Sequence, residues 1–301
     1  MRASGPAALG LRPGEWVEVR SEAEILGTLD GEGMVDGLPF MPEMRKFCGG
    51  RYRVAARADR TVVQRLGVRS MKDTVHLEEL RCDGAAHDGC CRECLLYWKE
   101  SWLRRPVEPA RATPALAATA LGALAATDGD GYICQATHLE RATVPRPRLA
   151  LQDLRAPAAE GLRPSVLLLS FGILAVDMVK WRLVKREWNT LRGPCKKTPV
   201  VSLGLQPGER VRVKSRREIL ATLDANGWNR GLEFSREMLP YCGRELTVLR
   251  RVERILLDQT TRMRPMKDTV ILDGAVYRHL NRRAVPRREY MFWRECWLER
   301  V

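Results

Sequence analysis

The sequence is poor in most of the marks by which function is read at a glance. It has four histidines among its 301 residues and shows no P-loop, dinucleotide fingerprint, nucleophile elbow or HExxH. Nucleotide-fold, serine-hydrolase and zinc-peptidase chemistry therefore have no foothold in it. The opening MRASGPAALGLRPGEW lacks the apolar core that export requires, which predicts a cytoplasmic chain. The longest apolar run, Val166–Val179, rises about 21 Å as a helix, short of the roughly 30 Å hydrocarbon core, and it carries Asp177. Nine cysteines, an odd number, do not make a disulfide framework and are expected as ligands or buried thiols. No Lys/Arg block exceeds two residues, and neither an RNP-like aromatic strand nor a helix-turn-helix pattern is present. The net charge of +14 thus favours anionic partners without the motifs of specific nucleic-acid recognition.

What is present is a repeat. Gly10–Cys48 and Gly204–Cys242 align at a constant offset of 194, from GLRPGEWVEV and GLQPGERVRV onward. After a one-residue slip, Met71-Lys72-Asp73-Thr74-Val75 returns verbatim as Met266-Lys267-Asp268-Thr269-Val270. The copies end on Trp98-Lys99-Glu100-Ser101-Trp102-Leu103 and Trp293-Arg294-Glu295-Cys296-Trp297-Leu298. Each opens with a short run of period-two apolarity, the mark of a half-buried strand. Ser21-x-x-Glu24 and Ser215-x-x-Glu218 then read as capping boxes. The helices they start bury Ile25, Leu26 and Leu29, or Ile219, Leu220 and Leu223. A second short helix holds Glu43-Met44 and ends near Cys48-Gly49.

Extended segments are expected at Tyr52–Ala58, Thr74–Leu80 and Tyr97–Leu103, with counterparts in the second copy. Trp98 and Trp102 would then share one strand face. Strands outnumber helices, so the fold class expected is mainly β with α insertions (α+β). The G-E-x-V-x-V opening looks like the first strand of an SH3-like barrel, giving two tandem SH3-like modules. The expected organisation is a first module at 10–106, a Pro/Ala-rich connector at 107–164, an apolar then basic helix with linker at 165–202, and a second module at 203–301. The helix is expected to be buried between the repeats; the alternative is peripheral membrane contact through 166–188, whose basic end carries Trp181 and Trp188.

The chemistry lies where the copies differ. The first has Cys82-x4-His87-x2-Cys90-Cys91-x2-Cys94, and Cys134-x3-His138 follows about forty residues on. At the equivalent positions the second has Tyr277, Arg282, Val285, Pro286 and Glu289. Thiolate and imidazole are the ligands zinc prefers, and thiolates equally suit iron–sulfur clusters. The spacing differs from paired C-x2-C knuckles, so zinc and an iron–sulfur cluster both stand. The expected ligands are Cys82, Cys90, Cys94 and Cys134, with His87, Cys91 and His138 as substitutes. A dithiol at Cys91 and Cys94 is another use, and small cysteines also pack simply as buried residues, as Cys48 and Cys242 are expected to. Glu43 and Glu237 hold matched positions and read as helix-surface or capping carboxylates. Catalytic residues are not assignable.

Taken over nearly its full length, the chain resembles a group of uncharacterised bacterial proteins. The resemblance rests on the paired P-G-E-x-V-x-V / E-I-L-x-T-L-D openings, the Cys-Asp-Gly…Cys loop, Tyr132-x-Cys134-Gln135-Ala136-Thr137 and the W-[KR]-E-x-W-L ends. It implies the tandem architecture and the cysteine placement. It further implies that relatives bear cysteines where Tyr277 and Val285 stand here, so that this chain has lost a second site. No activity comes with it. The function expected is a metal-stabilised binding or adaptor protein with a protein partner. The rivals are an iron–sulfur or other metalloenzyme, or its accessory protein, in a biosynthetic pathway, and a basic nucleic-acid-associated protein.

Overall fold

The computed structural model of this chain describes residues 8–63, 66–107, 124–129, 131–146, 163–184, 191–258, 260–279 and 285–301. Most of the expected connector, Trp188 and Arg282 lie outside them. The described chain is mainly β, with a few short helices and one long one.

Each half builds a five-stranded antiparallel sheet. In the first, the strand order is Trp98–Lys99, Thr74–Leu77, Arg51–Arg57, Trp16–Val19, Leu103–Arg104. In the second it is Tyr290–Arg294, Thr269–Val276, Glu245–Arg251, Arg210–Val213, Leu298–Arg300. The two orders are the same, and each third strand meets the second through one register shift, at Val54/Ala56 and at Val248/Arg250. Both capping boxes form: Ser21 Oγ accepts from the Glu24 amide while Glu24 accepts from the Ser21 amide at 2.9 Å, and Ser215 and Glu218 repeat this at 2.9 Å. They start the short helices Glu22–Leu26 and Arg216–Leu220, which bury Ile25 and Ile219.

The verbatim Met-Lys-Asp-Thr-Val run has a backbone reason. Asp73 and Asp268 adopt φ of 46° and 48°, a left-handed turn that short polar side chains tolerate. Thr74 and Thr269 donate back to the carbonyls of Lys72 and Lys267, each at 2.7 Å. Lys99 and Arg294, the variable position of the closing motif, both donate to those same carbonyls, at 2.9 and 2.7 Å.

The glutamate of the closing motif holds each module shut. Glu100 is buried and accepts from the amides of Gly10 and Leu11 at 2.8 and 3.2 Å and from Arg57 at 2.7 Å. Glu295 accepts from Gly204, Leu205 and Arg251 at 2.8, 3.2 and 3.0 Å. One carboxylate in each half therefore ties together the opening turn, the strand Arg51–Arg57 or Glu245–Arg251, and the end of the module. The segment around it is not the continuous strand expected over Tyr97–Leu103. A 3-10 turn, Glu100–Trp102, interrupts it, and Glu295–Trp297 does the same in the second half. Trp98, Trp102, Trp293 and Trp297 are fully buried, so they serve the two cores rather than one exposed face.

The helix Pro164–Val184 is longer than its apolar run, and its expected burial does not hold. Ser170 and Ile173 are buried, whereas Leu168, Leu169, Val176 and Val179 are exposed. No helix among the described residues is long and apolar enough to cross a membrane.

Candidate metal centre

In the first half, the strand Thr74–Leu77 ends and its neighbour Trp98–Lys99 begins only after a long gap, which the cysteine loop occupies. A bridge between Arg81 and Leu95 closes its base, with the Cys82 amide donating to the Cys94 carbonyl at 2.9 Å. Its turn depends on Gly84, with φ of 74°: a Cβ there would stand 2.1 Å from the Cys90 carbonyl oxygen. The amides of His87 and Gly89 both donate to the Gly84 carbonyl, each at 3.0 Å, which folds Cys90 back toward Cys82.

Cys134 arrives from a separate segment, and the residue beside it fixes it there. Gln135 is buried; its Oε1 accepts from the Tyr97 amide at 2.9 Å and its Nε2 donates to the Tyr97 carbonyl at 2.8 Å. One side chain thus extends the sheet edge and docks the Cys134 turn on the first module.

Cys82, Cys90, Cys94, Cys134 and His87 line one small cavity, with free space of about 10 Å³. Cys91 and His138 are not among them. The Cys91 sulfur donates to the Gly89 carbonyl at 3.2 Å and packs with Val252 and Ile271 of the second half. His138 Nδ1 stays within its own turn, against Thr137 Oγ1 at 3.0 Å and the Cys134 carbonyl at 3.1 Å. Cys91 and Cys94 therefore face different surroundings, which argues against their pairing as a dithiol. Cys48 is buried in the first core and Cys242 packs half-buried against the second.

Glu43 is not the helix-surface carboxylate expected from sequence. It is buried under the cysteine loop, where Oε1 accepts from the Ala86 amide at 3.0 Å and lies 2.5 Å from His87 Nδ1 and 3.8 Å from the Cys82 sulfur. His87 Nε2 donates to the Ile133 carbonyl at 2.8 Å. Burial opposes charge on His87, but the Glu43 carboxylate and the Ile133 carbonyl outweigh it, so its pKa is raised. Glu43, Cys82 and His87 form a buried group that could hold a metal, their ligand atoms all within 4.8 Å of one another. Glu237 keeps the matching task in the second half, accepting from the Arg278 amide at 2.8 Å. Its retention in both copies was the available signal for a load on that position.

Burial pushes the Cys82, Cys90 and Cys134 thiols up, Cys134 to about 12, with nearby cysteines adding to the effect. As thiols they are poor nucleophiles; a bound cation would stabilise their thiolate forms. Among the described residues, no three of the four sulfurs fall within 4.8 Å of one another.

The second half supplies the remaining wall. Leu256 lines the cavity, and its amide donates to the Cys90 sulfur at 3.3 Å. Arg287 is buried and directs Nη2 to the Cys94 sulfur at 3.9 Å. Glu289, which occupies the place of Cys94 in the second copy, pairs with Arg287 at 3.2 Å and Arg92 at 3.5 Å. Arg92 also donates to the Leu256 carbonyl at 3.1 Å and pairs with Asp258, while Arg250 pairs with Glu93. Glu289, which stands where the first copy has Cys94, thus helps hold the second half against the first copy's loop. Sequence comparison, which marked Glu289 only as a difference from Cys94, could not show this.

Protein-family models, curated proteins and solved structures give no match to this chain.

Proposed function

We propose that the chain is a metal-stabilised adaptor protein whose first module, with the Cys134 turn, holds an iron–sulfur cluster on Cys82, Cys90, Cys94 and Cys134. One observation carries the reading: four buried or half-buried cysteines from two separate segments line one cavity, and among the described residues no three of their sulfurs lie within 4.8 Å of one another. Four thiolates on one zinc sit about 3.8 Å apart, given Zn–S bonds of about 2.3 Å, whereas a [4Fe–4S] cluster gives each thiolate its own iron. A four-cysteine set leaves no open coordination position for a substrate, which supports a binding role over catalysis. The same strand order in both halves, with a 3-10 turn before the closing strand, supports two SH3-like modules and kinship with the tandem bacterial proteins. A reducing cytoplasm suits such a centre. The exposed Leu168, Leu169, Val176 and Val179 give an adaptor an apolar surface for a protein partner.

A second reading has its own support. Glu43, Cys82 and His87 lie close enough for one zinc. Protein purified without oxygen decides between them. Iron and acid-labile sulfide in equal amounts, with visible absorption lost in Cys90→Ala, is the result expected. Stoichiometric zinc in colourless protein selects the second reading, and neither metal overturns both.

A further inference from the structure

The second module's counterpart of the cysteine loop has a cleft of its own. It measures about 440 Å³, within the range of small-molecule sites, and lies between that loop and the start of the helix Pro164–Val184. Tyr277, Val285 and Pro286 form its apolar floor, and these three replace Cys82, Cys90 and Cys91 of the first copy. Val166 closes it from the helix side. Arg163, Arg278 and Arg288 also line it, and among the described residues no Asp or Glu does.

Three guanidiniums around one cleft repel each other unless an anion joins them. Elsewhere at this junction the arginines have partners: Arg92 and Arg287 on Glu289, Arg250 on Glu93, Arg254 on Asp88. Among the described residues, the side chains of Arg163, Arg278 and Arg288 have no carboxylate partner. Arg278 and Arg288 take part through backbone atoms alone, the Arg278 amide to Glu237 and the Arg288 carbonyl from Arg81. The adjacent pair Arg287 and Arg288 thus divides its work, one side chain buried toward Cys94 and the other exposed on the cleft.

We propose that this cleft binds a small organic phosphate. The arginine fork matches phosphate oxygens two at a time, and the ligand's apolar or aromatic body lies on Tyr277, Val285 and Pro286. The Tyr277 hydroxyl faces Met238, at 4.0 Å from its sulfur, so the ring rather than the hydroxyl is the contact offered. In this assignment the second copy exchanged a metal-type site for an anion site on the same scaffold. It stands independently of the metal in the first module.

Titration calorimetry of the full chain with phenyl phosphate tests it, with inorganic phosphate and benzyl alcohol as companion probes. Phenyl phosphate is expected to saturate at one per chain, inorganic phosphate to bind at least tenfold more weakly, and benzyl alcohol not to bind. The double variant Arg278→Glu/Arg288→Glu should weaken phenyl phosphate at least tenfold without changing thermal unfolding, since both side chains are exposed. The double variant Arg216→Glu/Arg217→Glu, on the capped helix that does not line the cleft, should bind as the parent does. Absence of saturable binding, survival of binding in the first variant, or equal loss in the second overturns the proposal. Inorganic phosphate binding as tightly as phenyl phosphate overturns the organic body.

Discussion

The amide of Leu256 donates a hydrogen bond to the sulfur of Cys90 at 3.3 Å, across 166 residues of chain. The donor belongs to the strand Arg254–Leu256 of the second half, the acceptor to the cysteine loop of the first. Amides directed at cysteine sulfur stabilise thiolate and tune a bound cluster. Leu256→Pro removes the donor, whereas Leu256→Ala keeps it and removes only the side chain. The proline variant is expected to purify with less than half the iron of the alanine variant; equal iron-to-protein ratios would show that the amide is dispensable.

The clamp carboxylates give a pair of matched tests. Glutamine at Glu100 or Glu295 keeps the shape but turns an amide donor toward backbone donors and a guanidinium. Breaking such a buried pair costs about 3 kcal/mol. Hydrogen exchange should show protection lost around Arg51–Arg57 in Glu100→Gln and around Glu245–Arg251 in Glu295→Gln. Loss in both halves from either variant would mean that the modules open together.

Stability should fall with acid through His76. It is fully buried, and burial, reinforced by Arg287, Arg81 and Arg288, lowers its pKa to about 4 against the pull of the Leu96 carbonyl. The unfolded chain takes up this proton near pH 6.5, the native protein only near pH 4. Native stability is therefore complete above about pH 6.5 and declines as pH falls toward 4, by on the order of 3 kcal/mol. His76→Asn keeps a donor for Leu96 and does not titrate. Its melting temperature should drop less between pH 7.5 and pH 5 than that of the parent.

The charge surplus should not make a tight nucleic-acid binder. Glu18 holds both Arg51 and Arg104, Arg212 pairs with Glu299 at 2.9 Å, and Arg300 with Glu209 at 2.8 Å. Positive and negative groups thus alternate on the faces of both sheets. Gel shifts with random duplex and single strands should show weak binding at low salt that vanishes at physiological salt. Tight complexes that survive physiological salt would overturn this expectation.

Local order was legible in the sequence because it is encoded locally. Ser21 and Glu24 lie three residues apart and cap their helix whatever surrounds them. The period-two run after Pro13-Gly14 makes a strand, and Asp73 turns the chain just as Asp268 does. The contrast of Cys82, Cys90 and Cys94 with Tyr277, Val285 and Glu289 was legible too, and these three cysteines line one cavity with Cys134 and His87. Tertiary structure alone decided the rest. Glu43 looked like a surface carboxylate until the cysteine loop folded over it, and the closing motif looked like strand until Glu100 was drawn to Gly10 and Leu11. Leu256 reaches Cys90 and Arg287 reaches Cys94 only because the two halves pack against each other at the cysteine loop, and Gln135 reaches Tyr97 only because the Cys134 turn docks on the first module. Those contacts span 38 to 193 residues of sequence, a separation over which no periodicity or spacing carries information.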